Sequence, residues 1–348
     1  MFEADGGRRP QKVAFLLVPH FSMMAFTSSV EPLRAANRLS GETLYSWRTV
    51  SVDGKPVRAS NGIPLLPDGS LFEDFDAQVL FVCAGVRAEH FNDKAVFGRL
   101  RELARRKMAL GGVCTGALAL ARAGLLDGYR CTIHWENMEG FVEDFPHLDI
   151  TATLFEIDRD RYTCSGGTAP LDMMIYAISR DFSEKLAIGV AEQMLHNFVR
   201  QPHDAQRMSI QYRTGISNAK LLAVIAYMEA YLETPVSLRE LADSVELSVR
   251  QLERLFRNHL GKTPMRYYLE LRLQRARLLL RQTTMPILQV AVASGFASAS
   301  HFARCYRELF QCSPRAERTG QPGAPDAAGD PHHAPPPAVG KYPDRAAS

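Results

Sequence analysis

The last third of this 348-residue chain repeats itself. Leu252-Glu-Arg-Leu-Phe-Arg257 returns as Phe302-Ala-Arg-Cys-Tyr-Arg307. At an offset of 50, Arg254 maps on Arg304, Phe256 on Tyr306, Arg257 on Arg307 and Pro264 on Pro314. Just upstream the offset is 49, with Leu241-Ala242 mapping on Val290-Ala291. A repeat that slips by one residue between its halves consists of two rigid pieces joined by a turn of variable length. Apolar residues at helical spacing flank the slip, so each copy reads helix, tight turn, helix. Gly295 sits in the second turn, where positive φ is easily accommodated.

In the first copy, residues 238–245 form the supporting helix and Ser248 is a good N-cap for the next. Leu252, Leu255 and Phe256 make a buried stripe, and Arg250, Glu253, Arg254 and Arg257 fall on the other side. In the second copy Ser298 caps, Phe302 and Tyr306 pack, and Ser300, His301, Arg304 and Arg307 face out. The pattern between the copies spans residues 265–281, about 25 Å of helix. Such a spacer suits two recognition helices about 34 Å apart, one turn of B-DNA, on one face of the duplex. The charge agrees. Residues 217–320 carry 15 Lys+Arg against 9 Asp+Glu, whereas residues 1–216 carry 24 against 26. A helical bundle with a solvated basic face is the bland alternative; two basic copies at a fixed offset favour DNA.

The first half differs. Residues 13–18 and 78–83 are short apolar runs suited to buried strands, and 47–52 alternates. Helical patterns follow at 23–39 and 93–108, then short strands at 129–132, 154–158 and 161–164, then helices at 170–181 and 183–198. Strand then helix, repeated, argues for a parallel sheet covered on both faces. The expected organisation is a disordered start at 1–11, an α/β domain at 12–200, a polar linker at 201–216, an all-α DNA-binding domain at 217–320 and a disordered tail at 321–348 with seven prolines. No apolar run is long enough to span a membrane, and no secretory signal is read, so the six cysteines are expected to be reduced thiols in a cytoplasm. No cofactor is called for, and His332-His333 in the tail makes a poor metal site.

Gly112-Val-Cys-Thr-Gly116 lies between an apolar stretch and a helical run. This is the nucleophile-elbow pattern, whose glycines permit a sharp strand-to-helix turn. The nearby helix amino terminus would favour a Cys114 thiolate. His134 follows a strand and would reach the same crevice, giving the minimal pair for thiol catalysis. Three readings of Cys114 stand: a pocket-lining residue beside Thr115, inert packing, or a working nucleophile. His134 is a pocket contact or a satisfied core histidine. Glu31 meets a cationic ligand or is a solvated helix carboxylate.

Residues 217–320 resemble the DNA-binding domain of AraC/XylS transcriptional regulators, through the Leu-Glu-Arg-Leu-Phe…Gly-Lys-Thr-Pro and Ala-Ser-Gly-Phe-Ala-Ser-Ala-Ser-His-Phe runs. The resemblance implies base contacts from Arg250, Glu253 and Arg254, and from Ala299, Ser300, His301 and Arg304. Residues 12–200 resemble the PfpI-like, glutamine-amidotransferase-like superfamily, whose fold is flavodoxin-like. The carrying segments are Glu31-Pro-Leu-Arg, the cysteine elbow, Thr-Ile-His-Trp and Ser165-Gly-Gly-Thr-Ala-Pro170. Enzymatic members place an acid near the cysteine; the corresponding position here is Ala25, with Glu136 a substitute acid. The combination is similar to regulators whose first domain senses a small molecule without catalysis. Residues 21–37 look closest to members that respond to betaine, carnitine, choline or arginine. The implied partners are double-stranded promoter DNA, a small-molecule effector, a second copy of the chain and RNA polymerase, with no membrane, and the implied role is activation. A cysteine amidase or hydrolase, or a thiol redox sensor, tethered to DNA is the competing reading.

Overall fold

The computed structural model describes residues 10–319; residues 1–9 and 320–348, and with them the disorder expected at both ends, lie outside the described residues. Gln11, expected in the disordered start, already opens the first strand. The chain divides between Arg207 and Met208 into two compact units.

In unit one, seven strands form one sheet: β1 (Gln11–Leu17), β2 (Tyr45–Ser51), β3 (Gly69–Ser70), β4 (Val79–Cys83), β5 (Ala109–Val113), β6 (Phe155–Asp158) and β7 (Arg161–Cys164). Their order is β6-β7-β5-β4-β1-β2-β3. Neighbours are parallel except β6 with β7. The two-residue period sets the two faces. Val13, Phe15 and Leu17 of β1 join one core with Phe81 and Cys83 of β4. Ala14, Leu16 and Val18 join the other with Leu80 and Val82. Helices Met23–Ser40, Ala169–Asp181 and Glu184–Gln193 cover the first face, and Lys94–Arg105, Gly116–Arg122 and Met138–Asp144 the second. Burial on both faces explains why β1 and β4 read as unbroken apolar runs. The flavodoxin-like α/β expectation holds.

The helix expected at 183–198 stops at Gln193. Leu195 takes φ +53°, and the chain turns to a buried carboxylate, Asp172. Asp172 accepts from the Arg200 amide and guanidinium and lies 2.7 Å from His196 Nε2. Nor is 201–216 one free linker. Leu154 donates to the Pro202 carbonyl at 2.9 Å, and the Gln206 amide donates to Thr132 Oγ1, Ile133 O and Thr153 O. Residues Ile210–Thr214 form the first helix of unit two.

The described part of unit two is helical, with two cores. Leu241, Leu252 and Phe256 pack with Tyr268 and Leu271. Val290, Phe302 and Tyr306 pack with Leu273, Ala276 and Leu279. One helix, Pro264–Gln282, supplies both, so it strings the two helix-turn-helix copies together. It is two residues longer than expected, about 28 Å. The slip between copies is localised. Leu247 donates to Ala242 O and Phe296 to Ala291 O, which keeps the offset of 49. The N-caps, Ser248 and Ser298, are already 50 apart. Ala297 is therefore the extra residue. Each copy also has two left-handed positions: Glu246 and Gly295 in the turns, Gly261 and Gln311 after the recognition helices. Glycine holds opposite members of the two pairs.

Among the described residues, no helix is long and apolar enough to cross a membrane, and no cluster of His, Cys, Asp and Glu suits a metal ion.

Candidate functional site: two recognition helices and a cysteine elbow

The recognition helices are Val249–Leu260 and Ala299–Phe310. The first starts in a capping box: Ser248 accepts from the Gln251 amide, and Gln251 reaches back to the Ser248 amide. The second is capped by Ser298 alone, whose hydroxyl also meets Ser300 Oγ at 2.8 Å. Leu252 and Phe256, then Phe302 and Tyr306, anchor one face of each helix. Arg250, Arg254 and Arg257 are exposed and Glu253 is half-buried; Ala299, Ser300, His301 and Arg304 are exposed, as is Arg307. The His301 ring leans on Phe296 at 5.7 Å. Among the described residues, the side chains of Arg250, Arg254, Arg257, Arg304 and Arg307 have no hydrogen-bond or ion-pair partner. These five unpartnered guanidinium groups, four of them at matching places (Arg254 with Arg304, Arg257 with Arg307), are donors open to solvent, the chemistry that phosphate and guanine edges accept.

Several other cations of unit two are spent internally. Arg272 donates to Ser294 O and Gly295 O and stacks on Phe296 at 4.3 Å. Lys220 donates to Val245 O and Glu246 O, the same two turn carbonyls in the first copy. A cation thus satisfies the carboxyl end of each supporting helix. Arg277 and Arg281 converge on Glu317, whose carboxylate is buried. Burial pushes that carboxyl up, but the Cys312 thiol and the two arginines outweigh it and hold it below the usual carboxylate range.

In unit one, β5 leads into a turn where Cys114 takes φ +60°, a strained conformation for a residue with a side chain. The turn is held by Cys114 N donating to Cys164 O at 3.1 Å and by Thr115 Oγ1 donating to Gly85 O at 2.7 Å. Its glycines are steric necessities. A Cβ on Gly112 would lie 2.5 Å from Ala117 N, one on Gly116 1.9 Å from Val82 O, and one on Gly166 2.8 Å from Cys114 Sγ. Closed in this way, Cys114 is 8% exposed. Burial pushes its thiol up to about 12; the Thr115 amide opposes this and the Glu136 carboxylate adds to it. The thiolate expected from the helix amino terminus is therefore not the stable form, because desolvation wins.

His134 caps a short helical turn, its Nδ1 accepting from the Glu136 amide at 3.3 Å, with Glu136 Oε2 3.9 Å away. Burial lowers its pKa below the usual imidazole value, and Glu136 acts in the opposite sense. Burial raises the thiol and lowers the imidazole, so both act against moving a proton from Cys114 to His134. Ala25, at the position where enzymes of this resemblance carry an acid, is fully buried. Glu31 is a partly exposed carboxylate of the first helix. It lies eight residues into the helix Met23–Ser40, about 12 Å along its axis, and pairs with Arg34 at 2.7 Å.

Residues 11–179 match the DJ-1/PfpI family and residues 241–320 the helix-turn-helix domain family. The HTH-type transcriptional regulator GbdR of Pseudomonas aeruginosa is 46% identical over 315 residues, 90% of this chain and 86% of that protein. CdhR, an HTH-type transcriptional regulator of the same species, is 46% identical over 317 residues, 91% of this chain and 94% of its own. A crystal structure of an AraC family transcriptional regulator from Pseudomonas putida is 33% identical, with a TM-score of 0.50, and covers 53% of this chain and all of its own. Similarity of this extent, with an α/β unit followed by two helix-turn-helix copies, places the protein in the AraC family of DNA-binding transcriptional regulators that carry a DJ-1/PfpI domain.

Proposed function

We propose that both recognition helices read promoter DNA, the first through Arg250, Glu253, Arg254 and Arg257, the second through Ala299, Ser300, His301 and Arg304. Ala299 offers only an apolar contact, for instance to a thymine methyl, so direct readout is stronger in the first helix. The observation that carries this reading is the two pairs of unpartnered arginines at matching places in the two copies, Arg254 with Arg304 and Arg257 with Arg307. Unit one senses a small nitrogen-containing metabolite of the betaine, carnitine, choline or arginine class, bound near Cys114, Thr115 and His134, and does not turn it over. The high thiol pKa speaks against catalysis by Cys114. The protein works as an activator and a homodimer, with RNA polymerase as its further partner.

The test is promoter binding and transcription with and without each of the four metabolites, alongside turnover of amide and ester substrates by the wild type and Cys114→Ser. One metabolite is expected to change transcription, with no cysteine-dependent turnover. Turnover lost in Cys114→Ser would make unit one an enzyme. A peroxide response lost in that variant would make it a redox sensor.

A further inference from the structure

The turn that carries His134 combines two cation-seeking groups. Trp135 is half-buried, and the Arg207 guanidinium lies over its ring at 4.5 Å. The His134 ring is 5.7 Å from the Trp135 ring, tilted by 33°. Glu136 brings a carboxylate 3.9 Å from His134 Nδ1, close enough to Cys114 to be felt by its thiol. An aromatic face beside a carboxylate is a recognition element for an organic cation, and here the chain's own arginine covers that face.

Arg207 is also the last residue of unit one. It ends a strap bonded to the segment that carries His134 and Trp135. Gln206 Nε2 donates to Thr132 Oγ1 at 3.1 Å, Ile133 O at 3.0 Å and Thr153 O at 2.7 Å. At the strap's other end, Arg200 is tied to Thr168 and Asp172, just beyond Gly166, which lies against Cys114. The chain continues from Arg207 directly into unit two.

We propose that Arg207 is a placeholder for the cationic group of the effector. A quaternary ammonium or guanidinium ligand takes the Trp135 face, with Glu136 as counter-charge, and displaces Arg207. Two cations cannot share one ring face, so binding and strap docking exclude each other. A ligand that binds only the released state shifts the chain toward that state. Release frees Arg207 and loosens Gln206 from Thr132, Ile133 and Thr153, and unit two begins at the next residue. This inference rests on the metabolite-sensing reading and adds the residue that recognises the cation and the means by which binding is felt outside unit one.

The test uses the full chain with Trp47→Phe, which leaves Trp135 as the sole indole of the two in the sequence. Choline, glycine betaine and L-arginine are titrated, with 3,3-dimethylbutan-1-ol as the neutral isostere of choline. Thermal shift and indole emission are read together. A cationic probe that raises Tm is expected to change Trp135 emission with the same midpoint. If choline is that probe, the isostere should bind about tenfold more weakly, the scale of one partly desolvated cation–π contact. Arg207→Gln should tighten binding by a similar factor, raise transcription without ligand and speed amide exchange at 200–207. Trp135→Leu should abolish the response. A probe that raises Tm with Trp135 emission unchanged and the same midpoint in Arg207→Gln would place the cation elsewhere and overturn the inference, leaving the sensing reading intact. If no probe raises Tm, that effector class falls and takes the inference with it.

Discussion

The cysteine elbow and the recognition helices both hold side chains where a turn meets the start of a helix, and they treat polar groups in opposite ways. At the elbow the Thr115 hydroxyl is spent on Gly85 O, His134 faces Glu136, and Cys114 is buried with Gly166 against it. On the recognition helices five guanidinium groups have no internal partner among the described residues. Arginine itself is not the difference, since Arg272, Arg277 and Arg281 on the helix between the copies are all engaged. Residue type alone therefore does not mark the recognition surface.

Each half of that comparison can be broken separately. The largest effect is expected from Gly116→Ala, whose new Cβ would meet a backbone carbonyl at 1.9 Å in the middle of the sheet. It should cost unit one about 4 kcal/mol or more in a thermal or urea melt. DNA binding by residues 208–348 is expected to survive, because unit two has its own cores. Loss of binding in that fragment would mean that unit one supplies something recognition needs.

Next comes Glu317→Ala, which leaves Arg277 and Arg281 facing an empty buried site. A loss of about 3 kcal/mol in unit two is expected, as for removal of one member of a buried ion pair. A change within error would move Glu317 to the class of exposed pairs. The smallest effect concerns the swapped glycines. Glu246 holds φ +54° where its counterpart is Gly295. Glu246→Gly should leave stability unchanged or raise it by up to about 1 kcal/mol, through relief of left-handed strain. Gly295→Ala should destabilise, since its Cβ would lie 2.5 Å from Leu232 O. A loss of stability in Glu246→Gly would show that the two turns are not equivalent.

Much of this was legible in the sequence because it follows from sterics and period. Gly112 and Gly116 announce the elbow, since a Cβ at either would strike backbone. The offset of 50 announces the two copies because each needs the same packing residues. Contacts between distant residues were not legible. Asp172 meets partners 24 and 28 residues away, with no local signal. Glu246 and Gln311 sit at left-handed positions that glycine usually marks. The Arg34 partner of Glu31 was not legible either, since strand-then-helix order gives the side of the sheet but not what a helix residue pairs with.

The most direct test sets arginines of the two kinds against each other. Arg254→Ala, Arg304→Ala and Arg272→Ala are measured for Tm and for affinity to promoter and random DNA. Arg254→Ala should lose about 1–3 kcal/mol on promoter DNA, much less on random DNA, with Tm unchanged, and Arg304→Ala should follow with a smaller loss. Arg272→Ala should lower Tm, because Ser294 O and Gly295 O lose their cation. A fall in Tm for Arg254→Ala with promoter affinity intact would contradict the division of the arginines into free and spent, and with it the assignment of the recognition surface.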